Sequence, residues 1–340
     1  MRKFTLNIST SPHLVKGLST DTIMKHVVYA LLPAAAFGVY AFGWNALMVM
    51  ITTTGGAMLT EHVLCKWSNK PGTMHDYSAM ITGLLLGMTL PPVFPIWMAF
   101  LGSVISIALG KFIFGGLGNN VFNPALVGRA FLQAAFPVGI TTWFRAFDPE
   151  RFMSLSSSIY ALPFMSPKVD AVSGATPLSA FKFDQVTTPA FDMLVGLCSG
   201  SIGETSTVFL IIGGIYLAWR KMLNWRIPVS IILTVFLVSA AFYLIDSNTY
   251  PSPFFTIFSG GLMLGAIFMA TDMVASPITS AGVWLYGVII GLLIVVIRLW
   301  GGLPEGVMYA ILLGNAISPH IDYIIRPRVY GTNNKKLKVS

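Results

Sequence analysis

The chain has 340 residues, 55% of them apolar and 10% charged, with a net charge of +8, whereas a soluble domain carries about 25% charged residues. That balance excludes a soluble globular enzyme. It also makes nucleic acid a poor partner for the excess Lys and Arg, which cluster at the ends of apolar runs as a positive-inside bias places them.

The opening stretch, MRKFTLNISTSPHLVKGLST, lacks an apolar core behind its basic residues, so it does not read as a signal peptide and the first span is expected to be retained. No Lys, Arg, Asp or Glu occurs in His26 to Thr60, Tyr77 to Gly110, Ile227 to Ile245, Ser247 to Thr271 or Met273 to Ile297. A crossing helix needs about 20 apolar residues, so each of the first two runs is read as a hairpin. The predicted spans are Val27 to Gly43, Asn45 to Leu64, Ser78 to Pro91, Pro95 to Gly110, Pro124 to Phe136, Thr205 to Trp219, Ile227 to Ile245, Phe254 to Ala270, Ala281 to Ile297 and Gly306 to Ile325. The expected fold class is an all-α polytopic membrane protein of about ten transmembrane helices.

Arg2, Lys3, Lys16 and Lys25 precede the first span, which sets the N-terminus in the cytoplasm. Alternate counting then puts Lys66, Lys70, Lys111, Arg220 to Arg226 and the tail cations Arg326, Arg328, Lys335, Lys336 and Lys338 on that same side, so both termini are expected to be cytoplasmic. Arg298 is the exception among the short loops and falls outside. Val138 to Ala190 falls outside as well, against its own Arg145, Arg151, Lys168 and Lys182. The organisation expected is a first membrane half over 1–137, an extracytoplasmic loop over 138–190, a second half over 191–326 and a basic tail over 327–340.

The two halves have opposite orientation in this count, and they share words. GLLLG (Gly83 to Gly87) in span three matches GLMLG (Gly261 to Gly265) in span eight. FNPALVG follows GGLGNN in span five, as LLGNAISP follows GGLPEG in span ten. Two inverted five-helix repeats account for both, with functional sites where interrupted helices meet. The alternative is that Gly-x-x-x-Gly recurs as a helix-packing face.

Ionisable residues in spans are functional candidates. Asp272 closes span eight in MATDMVASP, Arg129 lies in NPALVGRAFL, and Glu204 sits in the break SGSIGETS. The plainer readings are an inner-face cap, a snorkelling side chain and an interfacial carboxylate. In GKFIFGGLGNNVFNPALVGRA the glycines allow close approach of a planar ligand, and Asn119, Asn120 and Asn123 offer amides; the other reading is a tight turn. The stretch is not a P-loop. His13, His26, His62, His75 and His320 show no metal-ligand spacing, so no metal site is expected. Cys65 and Cys198 lie in separate segments and supply neither a disulfide framework nor the roughly four thiolates of an iron–sulfur cluster.

The long loop carries DAVSGATP, Asp170 to Pro177. Ser173, Gly174 and Ala175 are small enough for another protein's active site to close over the backbone and reach the Thr176 hydroxyl. Thr-Pro also reads as an N-cap followed by the first residue of a helix, and local physics alone favours that cap.

DAVSGATP resembles the Asp-x-x-Ser/Thr-Gly-Ala-Thr signature at which a flavin transferase esterifies FMN phosphate to threonine. The surrounding words SPH, IMKHVVYALLPA, MHDYSAMITGLLLGMTLPP, GKFIFGGLGNNVFNPALVGRAFL, GSIGETS and MATDMVASP resemble, over nearly the whole length, the NqrB/RnfD family of membrane subunits. The short N-terminus and overall length favour the Rnf branch over the sodium-translocating NADH:quinone reductase branch. The resemblance implies FMN on Thr176, with Asp170, Ser173, Gly174 and Ala175 in the recognition motif. It implies a second, non-covalent flavin (riboflavin or FMN) between the halves, for which Gly83, Gly87, Asn120, Asn123 and Arg129 are the candidate residues. Asp272 and Glu204 are candidates for an ion path coupled to Na⁺ or H⁺ movement. Implied partners are iron–sulfur and flavin subunits of an Rnf complex, a flavin transferase for maturation and the lipid bilayer of a bacterial or archaeal cytoplasmic membrane. A small-solute channel or carrier with inverted repeats is the rival reading, and a structural membrane scaffold is the third.

Overall fold

The computed structural model describes residues 19–69, 76–153, 155–163, 165, 174–247 and 249–327. Asp170 and Ser173, the terminal basic residues before Lys25 and after Arg326, Lys70, Lys168, His13 and His75 lie outside them. Among the described residues the chain is helical, without a β-strand.

Helix α1 (Thr20–Phe42) starts ahead of the expected Val27 because Ser19 caps it, its hydroxyl accepting from Thr22 N–H at 3.3 Å. It ends at Gly43, whose φ of 71° belongs to glycine and where a Cβ would stand 1.9 Å from the Arg151 carbonyl oxygen. Helix α2 (Trp44–Trp67) returns and packs on α3 (Ser78–Thr89) and α4 (Ile96–Ile107). The Pro91 to Pro95 segment separates α3 from α4, since proline cannot donate to a helical ladder. A π-helical turn, Ala108–Phe112, prolongs α4, and α5 (Pro124–Ala135) is capped by Asn123, whose Oδ1 accepts from Ala125 N–H at 3.0 Å.

Three short helices follow: α6 (Pro137–Thr141), α7 (Pro177–Asp184) and α8 (Ala190–Val195). Then come α9 (Thr207–Trp219) and α10 (Arg226–Ile245). The predicted eighth span, Phe254 to Ala270, is not one helix. It is α11 (Pro253–Phe258), a break at Ser259 to Gly261, α12 (Leu262–Leu264) and a π-helical turn, Gly265–Met269. Gly260 sets the break with a φ of 62°. Helices α13 (Ser280–Trp300) and α14 (Val307–Ile324) complete the chain.

By length and composition, α1, α10 and α13 can each cross a membrane. Helix α10 packs on α11 and α13, and α13 on α14, the same succession that α2, α3, α4 and α5 follow; α1 lies against α9. Small residues bring these pairs close: a Cβ on Gly287 of α13 would reach Ser230 of α10 at 2.5 Å, and one on Gly213 of α9 would reach the Ala30 carbonyl of α1 at 2.5 Å. The main apolar core, with Leu31, Phe42, Leu86, Leu126, Ile231 and Tyr286 among its buried members, joins helices of both halves.

Candidate functional site

Thr176 is the N-cap of α7. Its Oγ1 accepts from Ser179 N–H at 3.2 Å and stands 2.7 Å from Ser179 Oγ, and Pro177 takes the first helical position. Helix α7 is held in place by a small apolar cluster of Leu178, Met193 and Phe255, drawn from α7, α8 and α11. Gly174 is closely packed: a Cβ there would lie 2.2 Å from Ser199 Oγ and 2.9 Å from Ser199 Cβ.

Thr176 lines a small cavity, about 50 Å³, together with Arg129, Gln133, Trp143, Glu204 and Glu305. Arg129 and Glu204, singled out separately in the sequence, therefore share one site with Thr176. Arg129 is buried on α5, donating from Nη1 to the Thr89 carbonyl at 2.7 Å and pairing through Nη2 with Glu305; its Nε has no hydrogen-bond partner among the described residues. It is not a snorkelling side chain. Glu204 opens the 3-10 turn that leads into α9 and is buried. The backbone just before it pairs with the end of α3, Gly203 N–H donating to Met88 O at 2.7 Å and Ile202 N–H to Leu90 O at 3.3 Å.

A shared logic gathers cations here. The last carbonyls of a helix are unsatisfied and carry partial negative charge, which favours a cation beside them. Arg129 serves the end of α3. Arg298, buried on α13, donates to Thr256 O at 2.6 Å and Ser259 O at 2.9 Å at the end of α11. Lys182 of α7 donates to Arg298 O at 3.2 Å and Leu303 O at 3.1 Å beyond the end of α13, and its burial lowers its pKa from the ordinary lysine value. Glu305 joins the group from the α13–α14 loop, accepting from Gly261 N–H at 2.8 Å at the helix break.

A second cluster surrounds Lys111. Lys111, buried in the π-helical turn after α4, donates to Glu61 Oε1 at 2.7 Å and to Ser78 Oγ at 2.5 Å. The topology count treats Arg298 and Lys111 as loop charges, and the structure corrects this: each is buried within a helical segment, so neither is a free loop cation. A cavity of about 110 Å³ beside Lys111 is lined by Ser78, Asn120, Asn123 and Asp272 with apolar walls from α1, α3 and α9. Asn120 donates to Asp272 Oδ2 at 3.1 Å, and Asn123 donates to Met269 O at 3.1 Å, so both amides tie the first half to the end of span eight. Asp272 also accepts from Val274 N–H at 3.1 Å, which closes the local turn.

Gly83 and Gly87 do not line that cavity. They face α2, where a Cβ on Gly83 would meet Thr54 Cα at 2.5 Å and one on Gly87 would meet Thr53 Oγ1 at 2.5 Å. Helix α2 fills the space a ring would need. His26 hydrogen-bonds Tyr216 through Nδ1 at 2.6 Å, and no cluster of three or more His, Cys, Asp or Glu with metal-binding geometry occurs among the described residues.

Sequence reasoning missed Glu305, Arg298, Lys182, Glu61 and Lys111. A signal existed for two of them: Lys111 and Arg298 each precede a Gly-Gly-Leu turn in the matched words of the two halves.

The family described as NQR2, RnfD, RnfE matches residues 7–331. The chain is 44% identical to the D subunit of the proton-translocating ferredoxin:NAD(+) oxidoreductase complex of Clostridium ljungdahlii, over 98% of this chain and 98% of that one. It is 40% identical to the D subunit of the Na(+)-translocating ferredoxin:NAD(+) oxidoreductase complex of Acetobacterium woodii, over 99% of this chain and 98% of that one. Identity to the D subunit of the ion-translocating oxidoreductase complex of Aliivibrio salmonicida is 37%, over 95% of this chain and 98% of that one.

Proposed function

Given that the chain belongs to the NQR2, RnfD, RnfE family, we propose that it is a flavin-bearing membrane subunit of an Rnf-type complex, carrying FMN as a phosphoester on Thr176. As a family member it is a subunit of an ion-translocating oxidoreductase and works with the complex's other subunits. An isoalloxazine ring exchanges one electron or two, so the cofactor supplies the redox chemistry while the protein supplies position and field.

The observation that carries the reading is the surrounding of Thr176: its cavity also holds Arg129, whose Nε has no hydrogen-bond partner among the described residues. A guanidinium near an ester phosphate offsets part of its negative charge. The Ser179 N–H that the hydroxyl now caps remains a donor to the ester oxygen. A tether of this kind retains a flavin without a deep pocket.

The second, non-covalent flavin is proposed for the cavity of Asn120 and Asn123, which the fold supports with apolar walls and amide edges. At about 110 Å³ the cavity is smaller than a typical ligand site of roughly 300–1,000 Å³. Met24, Met222 and Met273 in its wall are flexible side chains that would have to give way to a ring. The ten-span, inverted-repeat arrangement belongs to the same proposal, supported by the matching succession of packed helices in the two halves. It puts both termini in the cytoplasm and the Thr176 loop outside.

Ion coupling is proposed to involve Asp272, which joins the halves through Asn120 and lines the cavity. The relatives' names attach H⁺ to one similar subunit and Na⁺ to another. The test uses the intact complex in sealed vesicles, with electron flow from reduced ferredoxin to NAD⁺ and ion uptake recorded together. Asp272→Asn is expected to lower ions moved per electron more than it lowers flavin content. An unchanged ratio returns Asp272 to a turn-closing role.

A further inference from the structure

Glu204 and Glu305 line the Thr176 cavity together, but they are held differently. Glu305 pairs with Arg129 through Nη2 and accepts from Gly261 N–H at 2.8 Å, so its negative charge is matched. Glu204 is buried, and its Oε1 receives no hydrogen bond from a donor among the described residues. The cations around it are already engaged. Arg129 of α5 donates to Thr89 O and to Glu305, and Arg298 of α13 donates to Thr256 O and Ser259 O. Lys182 of α7 donates to the carbonyls of Arg298, Gly301 and Leu303. Cys198, a further titratable neighbour, is kept a neutral thiol by its burial. The side chains of Glu204 and Glu305 hydrogen-bond each other. A carboxylate only accepts hydrogen bonds, so this contact needs a proton on one of the two groups.

A buried carboxylate without a matching cation takes up a proton instead of bearing its desolvation. Burial, with the charge of Glu305 beside it, raises the Glu204 carboxyl from the ordinary carboxylate range, and Arg129 only partly opposes this. We propose that Glu204 and Glu305 form a proton-binding site beside Thr176, sharing one proton that resides on Glu204 while Glu305 stays ionised against Arg129. The site is separate from the cavity of Asn120 and Asp272. Glu305 lies in the α13–α14 loop with its side chain 23% exposed, so protons reach the pair from that side. A further consequence rests on the tethered-flavin reading. Reduction of a flavin held at Thr176 adds negative charge nearby, which favours the protonated form of Glu204. Above the pH at which Glu204 ionises, an electron delivered to the ring by the complex therefore brings a proton from water onto the Glu204 carboxylate, and the charge of the neighbourhood is restored.

The experiment uses the intact purified complex and infrared spectroscopy in H₂O and in D₂O. A protonated carboxyl has a carbonyl stretch above the amide and carboxylate bands, and the stretch shifts on deuteration. Oxidised wild type at neutral pH is expected to show such a band, which Glu204→Gln removes and which fades as the pH rises. Melting of the complex gives a second reading. Glu204→Gln copies the neutral acid and is expected to leave melting unchanged, whereas Glu305→Gln strips Arg129 of its counter-charge and lowers it. A spectrum that Glu204→Gln does not alter overturns the proposal, and so do equal losses of melting in the two variants, which mark both carboxyls as ionised. Reduction of the tethered flavin is expected to strengthen the band in alkaline wild type and not in Thr176→Val. An unchanged band on reduction of a chain that carries covalent flavin overturns the redox link. A wild-type chain without covalent flavin defeats the tethered-flavin reading, while the band in the oxidised complex still decides the proton site.

Discussion

Gly83 to Gly87 and Gly261 to Gly265 read almost identically, yet they do different work. The first pair of glycines lies in an unbroken helix and presses against the backbone of α2. The second opens a helix break, with Gly261 N–H held by Glu305 and the α11 carbonyls held by Arg298. The cause lies one residue upstream. Thr82 precedes Gly83, and its hydroxyl bonds the Ser78 carbonyl within the helix at 2.9 Å; Gly260 precedes Gly261 and takes a φ of 62°. A β-branched residue resists the left-handed region and glycine does not. A matched word therefore locates a counterpart in the other half, while its neighbours decide whether the helix closes around it or opens onto a charged site.

The two regions differ in how they hold buried charge, and the largest expected effect separates them. Lys111→Met removes the cation facing buried Glu61, and breaking such a pair costs about 3–5 kcal/mol. Arg129→Met costs less, because Glu305 is partly exposed and keeps the Gly261 N–H. Melting of the purified complex is expected to fall further for Lys111→Met, with recovery in Lys111→Met/Glu61→Gln. Equal losses, or no recovery in the double variant, would break the comparison.

Glycine substitutions come next. Gly83→Ala forces a Cβ into Thr54 of α2, and overpacking of this kind costs about 1–3 kcal/mol. Its effect is expected on stability, with covalent flavin retained. Gly260→Ala is strained by about 1–2 kcal/mol in the left-handed region, and its Cβ meets Leu178 Cδ1 at 2.7 Å. That contact falls on α7, so native flavin fluorescence is expected to change while Gly83→Ala leaves it alone. The smallest effect on melting is expected for Asn120→Ala, which overpacks nothing and removes the amide's hydrogen bonds to Asp272 Oδ2 and Phe122 O. Its loss is expected in ion coupling more than in melting.

Much of the helical frame was legible because charge-free runs and Gly or Pro breaks report directly on desolvation and backbone geometry. Gly43 and the Pro91 to Pro95 segment divide the first two long runs as hydropathy requires. The break in span eight was not legible, since GLMLG carries no charge and fits a helix by composition. The candidate site was half legible. Thr176, Arg129 and Glu204 each stand out separately, but only the fold brings Arg298 of α13 and Glu305 of the loop after it into the same region. Gly83 and Gly87 illustrate the opposite limit: glycine in a membrane helix admits whatever comes close, and here it is α2.

The central claim is that Thr176 carries FMN, and it is tested most directly by mass spectrometry of the Thr176 peptide from chain isolated in its native complex. The peptide is expected to carry FMN minus one water, the balance of phosphoester formation, and Thr176→Val should lose both this mass and the fluorescent band while the chain still inserts. Unmodified Thr176 in fully assembled, active complex would contradict the account.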